Sequence, residues 1–425
     1  MSTTIVVCTL AATDTAVAAF PAAGPAVFGI PLAFVLFAFT LLGVALFHHH
    51  TLRVALIGLS VITAYTLLFA AFRGVPGAGG LVAHLAHEWV VLANLFGLLL
   101  GFALLSDHFE KSHIPGFLPA ILPDDWKGGL ALLALVFVMS TFLDNIAAAI
   151  IGGRMAASVF RSRVHVGYLV AIVAASNAGG AGSVIGDTTT TMMWIEGISP
   201  LTVATAFLPA AVALVVFGIP ASLQQQRVSP IIRDAPPGLR VDWARAEVVV
   251  IVVVAVIGTN VVVNSRFSEY ADHFPFLAAA VWAALLLTAA WRRPDWRLLR
   301  IAAPGSLFLI SLVTSASMMP VESLPDPTWL TTLGLGFVSA VFDNIPLTKL
   351  ALEQGGYDWG ALAFAVGFGG SMIWFGSSAG VALSTQFPQA KSVVAWLRYG
   401  WHVPLAYVAG YLAFLWLSGW APQAG

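Results

Sequence analysis

The chain has 425 residues, of which 59% are hydrophobic and 9% charged, against roughly 25% charged in soluble domains. That composition excludes a soluble globular protein and marks an integral membrane one. A net charge of −1 argues against nucleic acid or a polybasic role, and the lone Cys8 excludes an intrachain disulfide.

Residues 1–25 are mildly apolar without a basic n-region, and read as an uncleaved extracytoplasmic tail rather than a signal peptide. Apolar runs of ~20 residues can cross a bilayer at a rise of 1.5 Å per residue. Such spans are predicted at about 26–47, 53–72, 82–106, 165–195, 201–223, 246–264, 276–291, 301–319, 360–383 and 401–419. Two further hydrophobic stretches, about 128–153 and 329–352, carry Asp-Asn near the middle, where a spanning helix is most apolar. Each is predicted to be a re-entrant hairpin with its tip buried in protein. Ser106–Lys127 mixes Asp, Glu, Lys and His and reads as an interfacial loop. The Arg-rich stretch Arg227–Arg245, with Pro236 and Pro237, reads as a cytoplasmic linker.

With the N-terminus outside, ten spans and two hairpins return the C-terminus to the outside. All of the 19 Lys and Arg residues except Arg73, Arg266 and Lys349 then fall in the cytoplasm, as the positive-inside rule asks. Treating the hairpins as full spans would move Arg154–Arg163 outside. The predicted fold class is an all-α polytopic membrane protein with two repeats. It comprises a tail (1–25), repeat 1 (26–225), a linker (226–245) and repeat 2 (246–425). Each repeat holds five transmembrane helices, one of them discontinuous, and one re-entrant hairpin. Five is odd, so the second repeat is inverted.

The hairpin tips carry Asp144-Asn145 and Asp343-Asn344. A charge at membrane depth is costly and usually functional; the alternative is a carboxylate that bonds helix ends and only orders the tip. The Asn groups can coordinate a hard cation or cap backbone. Each hairpin is followed by a glycine-interrupted segment, with Gly179-Gly180 and Gly186 in about 165–195, and Gly369-Gly370 and Gly376 in about 360–383. Such glycines free carbonyls for a cation, or else let helices pack closely. Ser176, Asn177, Ser183, Asp187 and Thr188–Thr191 surround the first break, and Ser371, Ser377, Ser378 and Ser384 the second. The predicted site is therefore asymmetric, with three acids, and Asp144 and Asp343 are expected to meet in one cavity. Asp187 either joins them or caps the half-helix that follows. Acids crowded in a low dielectric are poised to hold either a proton or Na⁺. That competition gives obligatory exchange if only loaded forms cross.

Other groups are less telling. His48–His50, His108 and His113 read as solvated surface. His84, His87 and Glu88 form either an interfacial polar rim or a pH sensor. Lys349 either tethers its hairpin or snorkels to the interface. No phosphate-binding loop, Cys/His metal spacing or nucleophile elbow is found, so no enzyme activity, cofactor or ATP-driven transport is indicated.

At these residues the chain resembles the NhaD-type Na⁺/H⁺ antiporters of the ion transporter superfamily, relatives of the sodium-coupled dicarboxylate and citrate carriers. The matching stretches are STFLDN (140–145), SNAGGAGSVIGDTTTTMMWI (176–195), SAVFDNIPL (339–347), GGSMIWFGSSAGVA (369–382) and VAWLRYGWHVPLAYVAGYLAFLW (394–416). The resemblance covers about 120–425. It implies exchange of Na⁺ or Li⁺ for protons in the bacterial inner membrane. It also implies a homodimer whose hairpins and broken helices form a mobile, elevator-like transport domain. By motif match, Asp144, Asn145, Asn177, Asp187, Asp343 and Asn344 bind or relay the ion, with Na⁺ at Asp144 and Asp343. Ser176, Gly179, Gly180, Ser183, Thr188, Gly369, Gly370, Ser371, Ser377 and Ser378 are the expected backbone and hydroxyl ligands.

Two departures stand out. Ile146-Ala147-Ala148-Ala149 replaces the family's Thr or Ser, leaving the first hairpin short of hydroxyls, and Ile345-Pro346 follows the second Asp-Asn. The alternative function is a carrier of an organic or oxy-anion (citrate, a dicarboxylate or arsenite) on the same scaffold. Such relatives carry Ser-Asn-Thr-like tips, whereas both tips here begin with Asp. Like charges at ~4 Å repel by several kcal/mol even at an effective dielectric near 20, which favours a cation. A third reading, a non-transporting sensor or assembly subunit, requires purely structural tips.

Overall fold

The computed structural model describes residues 24–47, 50–72, 74–114, 122–231, 240–267, 270 and 273–423. Most of the tail with Cys8, His48 and His49, Arg73, and the linker's Pro236-Pro237 lie outside the described residues.

The described chain is almost wholly helical. Among the described residues, five helical stretches are long and apolar enough to cross a membrane: Thr51–Phe69, Gly77–Lys111, Pro200–Val228, Trp243–Val263 and Arg297–Ser317. Val393–Tyr399 and His402–Ser418, bent by 58°, would together make a sixth. The shortfall from ten has local causes. The predicted span 26–47 begins with a tight turn pairing Ala26–Val27 with Ile30–Pro31, so helix α1 covers only Leu32–Leu46. The predicted span 276–291 is helical over Phe276–Thr288. The remaining shortfall comes from the breaks in the two glycine-interrupted segments. The predicted loop 106–127 is also corrected. Its first residues continue a 35-residue helix to Lys111, supported by the i,i+4 pair Asp107–Lys111 at 2.8 Å.

Helix α2 is Thr51–Phe69, α3 Gly77–Lys111, α4 Trp126–Ser140 and α5 Asn145–Val159. Helices α4 and α5 pack on each other around the turn 141–144. The first interrupted segment is α6 (Val166–Ala181) and α7 (Thr188–Ile195), followed by α8 (Pro200–Ala204) and α9 (Phe207–Val228). After the linker come α10 (Trp243–Arg266), α11 (Phe276–Thr288) and α12 (Arg297–Ser317). The second hairpin is α13 (Trp329–Ser339) and α14 (Asn344–Gln354). The second interrupted segment is α15 (Trp359–Gly369), a 3₁₀ turn Gly370–Met372, and α16 (Ser378–Gln386). The unforeseen α17 (Val393–Tyr399) precedes α18 (His402–Ser418).

Helices α6 and α15 are buried on every face, Gly167–Ala181 and Trp359–Gly369 throughout. A helix apolar all round belongs in the interior, and here these two form the core. Helices α4, α9 and α18 pack around them. A second apolar cluster joins α1, α2 and α12, and takes in Leu95 of α3, Met192 of α7 and Ile345 of α14. On α10, Val250, Val254 and Val261 are exposed, as a lipid-facing stripe requires.

Candidate functional site

Helix starts build the site. Asp144 is the N-cap of α5 (φ −53°, ψ 138°) and Asp343 the N-cap of α14 (φ −53°, ψ 139°). At the breaks, Asp187 caps α7 (φ −142°, ψ 142°) and Ser377 caps α16 (φ −141°, ψ 152°). Four half-helices thus present their positive ends to one region, in two conformationally matched pairs.

The glycines allow these starts to meet. A Cβ on Gly179 would collide with the carbonyl of Phe137 in the first hairpin, and one on Gly369 with the carbonyl of Gly336 in the second. A Cβ on Gly186 would stand 1.9 Å from the carbonyl oxygen of Ser140, and one on Gly376 2.4 Å from that of Ala340. Inside each break, a Cβ on Gly180 would stand 2.7 Å from the Gly186 oxygen, and one on Gly370 2.7 Å from the Gly376 oxygen. These glycines therefore seat the hairpins on the breaks by close approach.

Polar side chains join the two halves. Asn145 Nδ2 donates to Asn177 Oδ1 at 3.1 Å, and Asn177 Nδ2 donates to Ser371 Oγ at 2.9 Å and Ser377 Oγ at 3.0 Å. Asn177 and Ser371 are fully buried. Asp187, 2% exposed, caps its half-helix and also faces the second hairpin tip. Its Oδ1 accepts from the Thr189 N–H at 3.1 Å, and its Oδ2 receives Asn344 Nδ2 at 3.5 Å. Asp343 Oδ1 accepts from the Ile345 N–H at 3.0 Å, and Oδ2 receives Ser378 Oγ at 3.4 Å.

One expectation is overturned. Asp144 and Asp343 do not share a cavity. Asp144 lines one of about 50 Å³ with Phe102, Ile185, Thr188 and Thr191. Asp343 lines another of about 50 Å³ with Thr51, Phe308, Phe375 and Ser378. Each has room for a few water molecules. Asp187 links the two, within Coulombic reach of Asp144 on one side and Asp343 on the other.

Other predicted groups divide. The Ser176 hydroxyl donates to the Val173 carbonyl of its own helix at 2.9 Å. Ser183 bonds the hairpin-turn carbonyl of Thr141. Thr188 and Thr191 of α7 line the Asp144 cavity, the Thr191 hydroxyl donating to the Val184 and Asp187 carbonyls at 2.9 Å each. His108 is buried, with Arg245 Nη1 3.2 Å from its Nδ1. His84 and Glu88 are buried too, rather than an interfacial rim.

Lys349 does not snorkel. It is 2% exposed, and its Nζ lies 3.0 Å from Glu88, 2.9 Å from Glu196 and 2.7 Å from Glu353. The sequence reading missed Glu196 and Glu353. The i,i+4 spacing of Lys349 and Glu353 could have revealed the second; the first has no local signal.

Apolar helices of spanning length around a set of buried carboxylates define the class as a helical multi-pass membrane protein. No family model matches the chain. It is 27% identical to "Sodium/proton antiporter 1" of Arabidopsis thaliana, over 76% of this chain and 62% of that protein. It is 26% identical to "Na(+)/H(+) antiporter NhaD" of Halomonas elongata, over 67% of this chain and 66% of that one. The chain thus spans less than two thirds of the length of either relative. The solved YdaH transporter of Alcanivorax borkumensis aligns over 82% of this chain and 91% of its own at 12% identity, with a TM-score of 0.38, too low to argue from. The chain is accordingly related to the NhaD-type sodium/proton antiporters, and these relatives are named as transporters, not enzymes.

Proposed function

We propose that the protein exchanges Na⁺ or Li⁺ for protons by alternating access, with the hairpins and broken helices moving as an elevator-like body in each protomer of a homodimer. One observation carries this reading: Asp144, Asp187 and Asp343 converge on interrupted helix starts, and the buried cation Lys349 is engaged by three other carboxylates. Helix N-termini offset part of the negative charge, each equivalent to roughly half a positive charge. The remainder calls for a proton or a metal cation, and an anionic substrate would add to the repulsion. Sodium and protons then compete for the same oxygens, which couples their opposite fluxes.

The inverted-repeat arrangement is part of the proposal. The second leg of each hairpin reaches α3 at a different end, Arg154 of α5 pairing with Glu110 and Lys349 of α14 with Glu88. At 1.5 Å per residue those glutamates stand roughly 33 Å apart along the helix, about the thickness of a bilayer's hydrocarbon core. Hairpins entering from opposite faces account for that.

In everted vesicles, added Na⁺ or Li⁺ is expected to dissipate an imposed pH gradient, while citrate and arsenite leave it intact. Dissipation by citrate or arsenite alone would establish the anion carrier instead.

A further inference from the structure

Lys349 lies outside the carboxylate site, yet its partners all belong to elements that build it. Glu196 is the C-cap of α7, the short helix whose N-cap is Asp187. Lys349 and Glu353 stand on α14, whose N-cap is Asp343. Glu88 belongs to α3, a helix of the outer layer. A single ammonium therefore ties the far end of the half-helix that carries Asp187 to the middle of the one that carries Asp343, and fastens both to α3. At the near ends the connection is the longer Asn344–Asp187 contact at 3.5 Å. A helix of eight or eleven residues is a stiff lever, so fixing one end fixes the other.

The charges suit this task. Lys349 and Glu88 are each 2% exposed, while Glu196 is 29% exposed. Removing one partner of a buried pair leaves an uncompensated charge that the surroundings must move to accommodate. An apolar contact between α7 and α14 would let them slide, whereas an ammonium with three carboxylates within 3.0 Å holds them together by charge.

We propose that Lys349 is a positioning residue: through Glu196 and Glu88 it sets the register of Asp187 against Asp343, and so the affinity of the site for its cation. The inference deepens the antiport reading and rests on it for the kinetic arm of its test. Glu196→Gln, which leaves Lys349 paired with two carboxylates, is expected to raise the KM for Na⁺ about tenfold with little change in maximal rate per inserted protein. Lys349→Met is expected to do the same or more, and Lys349→Arg to restore a near-normal KM. A tether with no positioning role would lower the amount of folded protein and leave KM alone.

A second arm needs no transport. In a Cys8→Ser background, cysteines at Asp187 and Asn344 are joined by a short thiol-to-thiol cross-linker in vesicles. The yield is expected to fall severalfold with added Lys349→Met and to persist with Lys349→Arg. Unchanged cross-linking in Lys349→Met, or a wild-type Na⁺ KM in Glu196→Gln and Lys349→Met, overturns the inference. Failure of the unmodified protein to exchange Na⁺ overturns the antiport reading alone, and the cross-linking arm still decides the positioning.

Discussion

The two hairpin-plus-break regions share a backbone and divide the chemistry. Their N-caps superpose in torsion space to within about ten degrees; Gly179 and Gly369 meet equivalent hairpin carbonyls, and Gly186 and Gly376 meet carbonyls one position apart. The side chains diverge at the same positions. The first break has Asp187 where the second has Ser377, and Asn177 where the second has Gly367. A Cβ on Gly367 would stand 3.4 Å from Asp187 Oδ2, so the smaller partner leaves room for the larger group opposite. The duplicated frame thus supplies helix ends and close approaches. One half supplies the acid and the amide that work between the two.

The strongest way to break that comparison is to exchange the weight of the two caps. If Asp187 is the shared carboxylate and Ser377 a neutral companion, Asp187→Asn should lower exchange by about a hundredfold or more, since each lost 1.4 kcal/mol of ion stabilisation is tenfold. Ser377→Ala should lower it by about tenfold or less, the size of one or two neutral hydrogen bonds. Initial rates of Na⁺-driven proton movement in vesicles measure both. Equal losses would mean that the halves contribute symmetrically after all.

Next in size is the tie across the halves. Asn177→Ala removes an acceptor from Asn145 and two donors from buried serines, and each group left without a partner costs roughly 1–3 kcal/mol. The melting temperature in detergent should fall further than with Asn344→Ala, which gives up a longer bond, to Asp187 at 3.5 Å. A comparable pair is Gly186→Ala and Gly376→Ala. Both press a methyl into a hairpin carbonyl, and overpacking of this kind costs about 1–3 kcal/mol or more. The tighter approach at Gly186 predicts the larger loss of folded protein on size-exclusion chromatography.

Much of this frame was legible in the sequence because its causes are local. Asp-Asn in an apolar run, and paired glycines five residues from a third, already specify a helix start and a place where backbones touch. Asp187 was visible as an acid before four threonines, although only the fold shows one of its oxygens capping and the other turned to Asn344. What stayed hidden depends on distant packing. Nothing near Asp144 announces that its hydroxyl neighbours come from α7. Nothing near Glu196 announces Lys349, 153 residues away. The separate cavities of Asp144 and Asp343 are likewise set by Phe102 and Phe308 on helices outside both repeat motifs. Helix lengths differ from the predicted spans for a simpler reason: hydropathy registers apolar length, but not the Pro31 cap that shortens α1 at its start, nor the end of α11 at Thr288.

The junction of the halves offers the smallest effect and a contrast with the caged Lys349. Asp242 caps α10 and accepts Arg292 Nε at 2.9 Å, beside Arg245. The Arg292 hydrogen bond, more than any other influence, holds this carboxylate below its ordinary range. Because the folded-state value is depressed, its contribution to stability is full above the unfolded value near 3.9 and disappears as pH falls through the folded one. Both side chains meet solvent, at 43% and 27% exposure, so screening limits the pair to about 0–1 kcal/mol. Arg292→Met should therefore lower the melting temperature slightly at neutral pH, less still in high salt, and not at all once Asp242 is protonated. Lys349→Met should keep its destabilisation in high salt, because Lys349 and Glu88, each 2% exposed, are shielded from mobile ions. A salt-insensitive Arg292 effect as large as that of Lys349 would mean that the junction, rather than the cage beneath the site, is the firmer attachment between the halves.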